Sequence, residues 1–280
     1  MTHILAVCNQ KGGVGKTQTT ISLGAALADA GASVLLVDFD PQGHLTEAVG
    51  LRDLYLDTGP ALYDALLDPA RHDITTLIRQ AAGERFSVIP TTYKMALADK
   101  ALYMAHGREE RLKDLLAGVP REVEWILIDC PPELNNLTDN ALYAARQALV
   151  PIQAETSSVR ALELLFDQIE SIRRGLKIEV EIAAIVPNLV EHVKLSGRIL
   201  DELRASLPAM VPFEVPKRQV VREAWDAGHS IFTYRPSEKA KREDCDELIA
   251  LYKDLAALVQ ARVGGADAAA QAGPVAGGVV

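Results

Sequence analysis

Near the start of the chain the residues Cys8-Asn9-Gln10-Lys11-Gly12-Gly13-Val14-Gly15-Lys16-Thr17 lie between an apolar run, Ile4 to Val7, and a long Ala/Leu-rich segment. The order strand, glycine loop, helix constrains the fold more than any other feature. The spacing follows G-x-x-x-x-G-K-[ST], with Gln10 where the first glycine usually stands and the glycines at 12, 13 and 15. Such a loop offers a row of backbone N–H groups to phosphate oxygens, and side chains at those glycines would block the approach. Lys16 reaches the β- and γ-phosphates, the Thr17 hydroxyl takes a place on Mg²⁺, and the helix that continues through Gln18 points its positive end at the anion. A nucleoside triphosphate is the expected ligand, bound by Gly12, Gly13, Val14, Gly15, Lys16, Thr17 and Gln18.

The rest of the chain must then supply a sheet. With 280 residues, 49% of them hydrophobic, it can bury a large sheet in one core. The formal charge of -9 argues against a protein that coats nucleic acid with its whole surface, so any such contact must be a local patch. Cys8, Cys130 and Cys245 have no paired spacing for zinc, an iron–sulfur cluster or a disulfide framework, which implies a reducing compartment. The opening Met-Thr-His-Ile enters the first strand at once, and no apolar run approaches the length of a bilayer span. The expectation is a cytoplasmic protein without a signal sequence.

Alternation of strand and helix continues along the chain. Thr19 to Ala30 reads as helix with Gly31 as its cap, and Ser33 to Val37 as a buried strand ending in Asp38-Phe39-Asp40-Pro41-Gln42-Gly43. Leu51 to Arg85 is less regular, with short helices expected around Ala61 to Leu67 and Ile74 to Ala82. Further strands are expected at Phe86 to Pro90, Glu124 to Ile128, Ala148 to Ile152, Ile182 to Val186 and Met210 to Val215. Helices are expected at Tyr93 to Ala117 (broken at Gly107), Leu134 to Ala145, Val159 to Arg173, Ser196 to Leu207 and Glu238 to Arg262. This pattern predicts an α/β fold, a doubly wound, mostly parallel sheet with helices on both faces. One domain is expected over 1–262 and a disordered Ala/Gly-rich tail over 263–280.

Parallel strands deliver ligand-binding residues at their carboxyl ends. Three loops, Lys11 to Thr17, Asp38 to Gly43 and Asp129 to Pro132, should therefore meet over the phosphates. Asp129, after an apolar strand, fits the magnesium partner of phosphate-loop enzymes, and Asp38 is a second candidate beside Thr17.

The early lysine makes the loop K-G-G-V-G-K-T. With D-x-D-P-Q-G at Asp38 to Gly43 and D-C-P-P at Asp129 to Pro132, the chain resembles the ParA/MinD family of ATPases, whose phosphate loop is a deviant Walker A motif. The resemblance runs from the first strand to about Tyr252. It implies that Lys11 reaches across a homodimer interface to the partner's ATP, that Asp40 orients the attacking water, and that Lys11, Lys16 and Asp40 carry catalysis. Leu137 to Leu142 looks like the helix after the second switch, and Val215-Pro216-Lys217 to Tyr234-Arg235-Pro236 like the family's late strand, helix and closing turn. On the same basis Asn188 and Pro216 flank the adenine. Glu133, Asn135-Asn136 and His44 depart from the family pattern around the switches.

The resemblance further implies non-specific binding of double-stranded DNA through a basic region when dimeric. Here that region holds Lys217, Arg218, Arg222, Arg235, Lys239, Lys241 and Arg242, opposed within it by Glu223, Asp226 and Glu238. Lys217, Arg218 and Arg222 are the candidate DNA contacts; a solvated helix face is the competing reading. The implied role is segregation of chromosomal or plasmid DNA on the nucleoid, with Mg²⁺ and ATP as cofactors and a ParB-like centromere-binding protein as the activator of hydrolysis. Positioning of a protein cargo is an alternative of the same class. A MinD-like membrane role fits less well, because the last helix is partly acidic and lacks a basic amphipathic ending.

Overall fold

The apolar runs pair side by side. In the computed structural model, which describes residues 1–191 and 194–271, β1 (His3–Val7) passes through the glycine loop into α1 (Lys16–Asp29), and β2 (Val34–Asp38) follows. Two short helices that the sequence reading lacks, α2 (His44–Ala48) and α3 (Arg52–Tyr55), occupy the stretch after Gly43. Next, α4 (Leu62–Leu67) lies where a short helix is expected. The second expected helix, Ile74 to Ala82, is instead a 3₁₀ turn, Ile74–Leu77, and an edge strand β3 (Arg79–Gln80). A turn at Gly83, with φ +77°, folds β3 antiparallel onto β4 (Ser87–Ile89), and the Gln80 amide braces that hairpin by donating to the carbonyls of Glu84 and Phe86.

A second 3₁₀ turn, Tyr93–Leu97, runs into α5 (Ala98–Tyr103), which Gly107 separates from α6 (Arg111–Leu116). The remaining elements are β5 (Trp125–Asp129), α7 (Asn136–Ala145), β6 (Gln147–Ile152), α8 (Thr156–Leu176), β7 (Glu181–Pro187), α9 (Lys194–Ser206), α10 (Val220–Asp226) and α11 (Lys239–Gln271). Met210 to Val215 is not a strand. Ile185 bridges Met210, and a second isolated bridge joins Val190 to Pro216 just beyond; Val211 and Val215 donate to Ile185 O and Pro187 O, but the chain bends at Pro212-Phe213 between them, so no continuous ladder forms. The last helix runs past Arg262 to Gln271: Val263 still packs in the core, and the alanines beyond it favour helix. Residues 272–280 of the expected tail lie outside the described residues.

The strand order is β3-β4-β2-β5-β1-β6-β7, with every pairing parallel except that of β3. Side chains alternate between two cores. Ala6, Leu35, Ile126 and Ile128 face a layer that includes α4, α6, α7 and α8, while Leu5, Val7, Leu36 and Leu127 face α1 and α11. Tyr252 of α11 is wholly buried in the second layer. Burial of each such large side chain contributes roughly 1.5–3 kcal/mol.

Two turns touch at the surface, beside that second layer. A methyl group placed on Gly228, after α10, would stand 3.0 Å from the Cα of Gly50, after α2, so the chains meet backbone to backbone. Among the described residues no helix is long and apolar enough to cross a membrane.

Candidate nucleotide site

β1 lies between β5 and β6, and the loop that leaves it is tied to β6 and the segment that follows. The buried Asn9 amide donates to Pro151 O of β6 at 2.7 Å and its carbonyl accepts the N–H of Lys11 at 2.9 Å. Beyond β6, the Gln153 amide donates to Gly13 O (3.2 Å) and accepts from Lys11 Nζ (3.0 Å); the same ammonium forms an ion pair with Glu155. Lys16, only 7% exposed, folds its ammonium back to Lys11 O at 3.4 Å. Gly15 stands as the N-cap of α1 with φ +84°, a conformation that strongly favours glycine. The first-turn N–H groups of α1 have no acceptor within the helix and make an anion seat.

Strand register brings the carboxylates to this loop. Val7 and Asp38 are both register neighbours of Asp129, on either side of β5. Asp129 is fully buried and accepts from Thr17 Oγ1 at 2.7 Å and Thr20 Oγ1 at 3.3 Å; burial pushes its carboxyl up to about 7 despite those bonds and the nearby Lys16. Asp38 accepts the N–H and the hydroxyl of Thr46 on one oxygen, at 2.8 and 2.5 Å, while its buried Oδ1 has no hydrogen-bond partner. Burial, then the neighbouring Asp129, holds it well above the ordinary carboxylate range. Asp40 accepts from the N–H of Gln42 at 2.9 Å. Its carboxyl is also raised, chiefly by burial, with Glu133 adding to the effect and Lys16 and His44 opposing it.

A divalent cation fits this arrangement. An orphaned Asp38 Oδ1, a second buried carboxylate and the Thr17 hydroxyl form an all-oxygen donor set that suits Mg²⁺. Among the described residues no group of three acidic, His or Cys side chains could hold a metal unaided. That is the normal condition for Mg²⁺, which takes one or two carboxylates and fills its shell with phosphate oxygens and water.

The sequence reading misses several partners of these groups. Thr20 and Gln153 touch the site directly, and Thr46 bonds Asp38 while accepting the N–H of Thr91 at 3.0 Å. The polar pair Thr91-Thr92 at the end of an apolar strand is the one signal that could have found part of this set. The switch departures have local reasons: Asn135 caps α7, accepting the N–H groups of Leu137 and Thr138, and Asn136 bonds Asp99 at 3.0 Å.

Both residues expected to flank the adenine are buried. Asn188 is 0% exposed and its amide donates to loop atoms, Val14 O at 3.0 Å among them; it is not an open base-facing side chain. Pro216 is buried beside Val190. The basic region is far more paired than its sequence suggests, since acids from outside it fold against it. Lys217 pairs with Glu191 (2.7 Å), and Arg218 with Asp244 (3.0 Å) and Glu247 (2.7 Å), whereas Arg222 is exposed on α10.

The model of an AAA-domain family matches residues 2–182, more than half of the chain and all three loops. The sporulation initiation inhibitor protein Soj of Bacillus subtilis is 35% identical over 241 residues, 85% of this chain and 94% of that one. The chain belongs to the ParA/Soj family of partition ATPases. Within this family the chromosome partitioning protein ParA of Myxococcus xanthus is 34% identical over 256 residues, 90% of this chain and 87% of that one. Among solved structures, cobyrinic acid a,c-diamide synthase from Mycobacterium smegmatis, with a bound ATP analogue and magnesium, superposes with TM-score 0.76 and 29% identity, covering 93% of this chain and 95% of that one. The ParA/Soj assignment accounts for both the two-lysine loop and the D-x-D-P-Q-G stretch.

Proposed function

We propose that this chain is a DNA-partition ATPase that closes into a homodimer around ATP and Mg²⁺, binds double-stranded DNA without sequence preference, and is reset when a ParB-like partner stimulates hydrolysis. One observation carries the reading: a two-lysine phosphate loop, a Thr17–Asp129 pair and the Asp38-to-Gly43 loop meet at the carboxyl ends of adjacent strands.

The chain's own groups divide the work. Lys16 neutralises phosphate oxygens of the nucleotide in its own subunit, with Gly12, Gly13, Val14, Gly15, Thr17 and Gln18 around it. Thr17, Asp129 and Asp38 would hold Mg²⁺, which when bound offsets charge on the phosphates. Asp40, 6% exposed, with Lys16 and His44 near enough to oppose the upward push of burial, orients the attacking water. The described site offers no strong general base, so unstimulated turnover is slow; a cation supplied by a partner raises rates by about 10³ to 10⁵ in related phosphoryl-transfer enzymes. Lys11 serves the partner's nucleotide once its own ion pair opens, and Pro216 is the remaining candidate to flank the adenine. DNA is held by Arg222 together with Lys217 and Arg218 once these exchange their carboxylate partners for phosphate. The working place of such a protein is the cytoplasm, on the nucleoid.

The test is retention on duplex DNA of unrelated sequence, followed by sedimentation with and without MgATP. Retention is expected with MgATP at every sequence and in proportion to dimer. Equal retention without nucleotide, or none with it, would sink the reading.

A further inference from the structure

Asn188 is the first residue after β7, and its surroundings aim its amide at the phosphate loop. Its Nδ2 donates to Val14 O (3.0 Å) and Gly15 O (3.3 Å), and lies 3.3 Å from Thr19 Oγ1. Its Oδ1 accepts the N–H of Leu189 at 3.0 Å, which fixes which face of the amide carries the donor. Leu189 itself has φ +54°, a left-handed conformation that a branched residue keeps only when its surroundings impose it. The Asn188 N–H bonds Ile152 O of β6 at 2.7 Å, so the residue is anchored to the strand next to β1. Gly15 completes the fit: a methyl group there would stand 2.2 Å from Asn188 Nδ2. The glycine is therefore needed twice, for its φ and for the approach of this amide.

From this geometry we infer that Asn188 is a positioning residue for the phosphate loop, which holds the Val14 and Gly15 carbonyls inward so that the loop and the first turn of α1 present their N–H groups to the triphosphate. The inference rests on the nucleotide-binding reading of the site and assigns Asn188 a role different from adenine contact. A carbonyl fixed on one side of a peptide plane fixes the N–H of the next residue on the other. Val14 O thus sets the direction of the Gly15 N–H, and Gly15 O that of the Lys16 N–H. The amide acts through the backbone and touches no ligand atom, so its effect should be the same for any ligand that carries the triphosphate.

The probes are ATP, GTP and inorganic tripolyphosphate, each titrated with Mg²⁺ onto the full chain. In Asn188→Ala all three should weaken by a common factor, about ten- to a hundredfold for loss of a buried donor that satisfies several acceptors. The ATP-to-GTP ratio should stay within about twofold of the parent. Asn140→Ala is the control for a merely structural loss, since Asn140 is equally buried and its amide bonds Arg108 O (2.7 Å) and Asn136 O (2.8 Å) far along the chain from the loop. That variant should melt lower yet bind tripolyphosphate like the parent.

A second measurement uses the collision at Gly15. Gly15→Ala should abolish tripolyphosphate binding, and the double variant Gly15→Ala/Asn188→Ala should regain part of it, because the clash is gone and only the backbone strain remains. The inference is overturned if tripolyphosphate affinity is unchanged in Asn188→Ala while ATP alone weakens, which is the adenine-contact outcome. It is also overturned if Asn140→Ala and Asn188→Ala lose tripolyphosphate equally. If the parent binds neither ATP nor tripolyphosphate, the nucleotide reading fails and the clamp with it; if the parent binds both and Asn188→Ala binds both as well, the clamp alone fails.

Discussion

The carboxylate of Glu155 holds the ammonium of Lys11 against its own chain, and Gln153 Oε1 takes a second bond from the same nitrogen at 3.0 Å. If Lys11 serves the nucleotide of a second subunit, this pair must open when the dimer closes. Glu155 is 56% exposed at its side chain, so the ion pair is worth only about 0.2–1 kcal/mol after solvent screening. Glu155→Gln should therefore lower the ATP concentration at which half the chain is dimeric, by about fivefold at most. Lys11→Ala should bind ATP and stay monomeric. Sedimentation velocity across an ATP series reads both, and a Glu155→Gln chain that dimerises less readily would mean that the pair supports closure.

Asp40 offers a cleaner separation of binding from turnover. Among the described residues its carboxylate bonds only the N–H of Gln42 two residues on, so its removal disturbs little structure. Asp40→Ala should keep ATP affinity and ATP-driven dimerisation while steady-state phosphate release falls by about 10² or more. Turnover at the parent rate would remove Asp40 from the mechanism.

The raised carboxyl of Asp129 predicts a pH dependence of the chain without nucleotide or magnesium. Below about pH 4 folded and unfolded chains both carry the proton. As pH rises from about 4 to 7, the unfolded chain, with the ordinary value of 3.8, releases it while the folded chain retains it, so the folded state loses stability across that window and the loss levels off above it. Asp38 acts in the same direction. Asp129→Asn should remove its share of the slope. Urea midpoints at pH 4.5, 6 and 7.5 should fall less in the variant than in the parent; parallel curves would show that Asp129 does not titrate in this range.

Pairing within the basic region makes a prediction that charge counting would miss. Arg218→Glu and Arg222→Glu should weaken retention on every duplex tested and flatten its dependence on salt. Asp244→Asn with Glu247→Gln should strengthen it, because Arg218 then has no carboxylate to leave before it meets phosphate. DNA co-sedimentation at two salt concentrations decides, and a double variant that binds no better than the parent would exclude Arg218 as a phosphate contact.

Much of the fold was legible because it is local. Each of the strands β1, β2 and β5 is a short apolar run bounded by turn residues, and a strand buried on both faces leaves that mark whatever it pairs with. The loop and the three aspartates were legible for a related reason: a parallel sheet puts the ends of its strands in one place. The illegible parts depend on what meets what. Met210 to Val215 has strand composition, but a bend at Pro212-Phe213 interrupts its pairing with β7. The acids that neutralise Arg218 lie 26 and 29 positions away and reach it only because α11 folds beside α10. The Asn188 amide points at the loop through a left-handed Leu189, a conformation that no residue pattern announces.

The glycine-to-glycine contact between Gly50 and Gly228 joins the two ends of the proposed cycle. On one side is α2, which begins next to the Asp38-to-Gly43 loop; on the other is α10, which carries Arg222. Side chains between packed elements can change rotamer and absorb a shift, but two bare backbones cannot. A movement of the loop that carries α2 toward α10 would therefore press on the turn that ends the helix bearing Arg222, as gearing between the fuel site and the track.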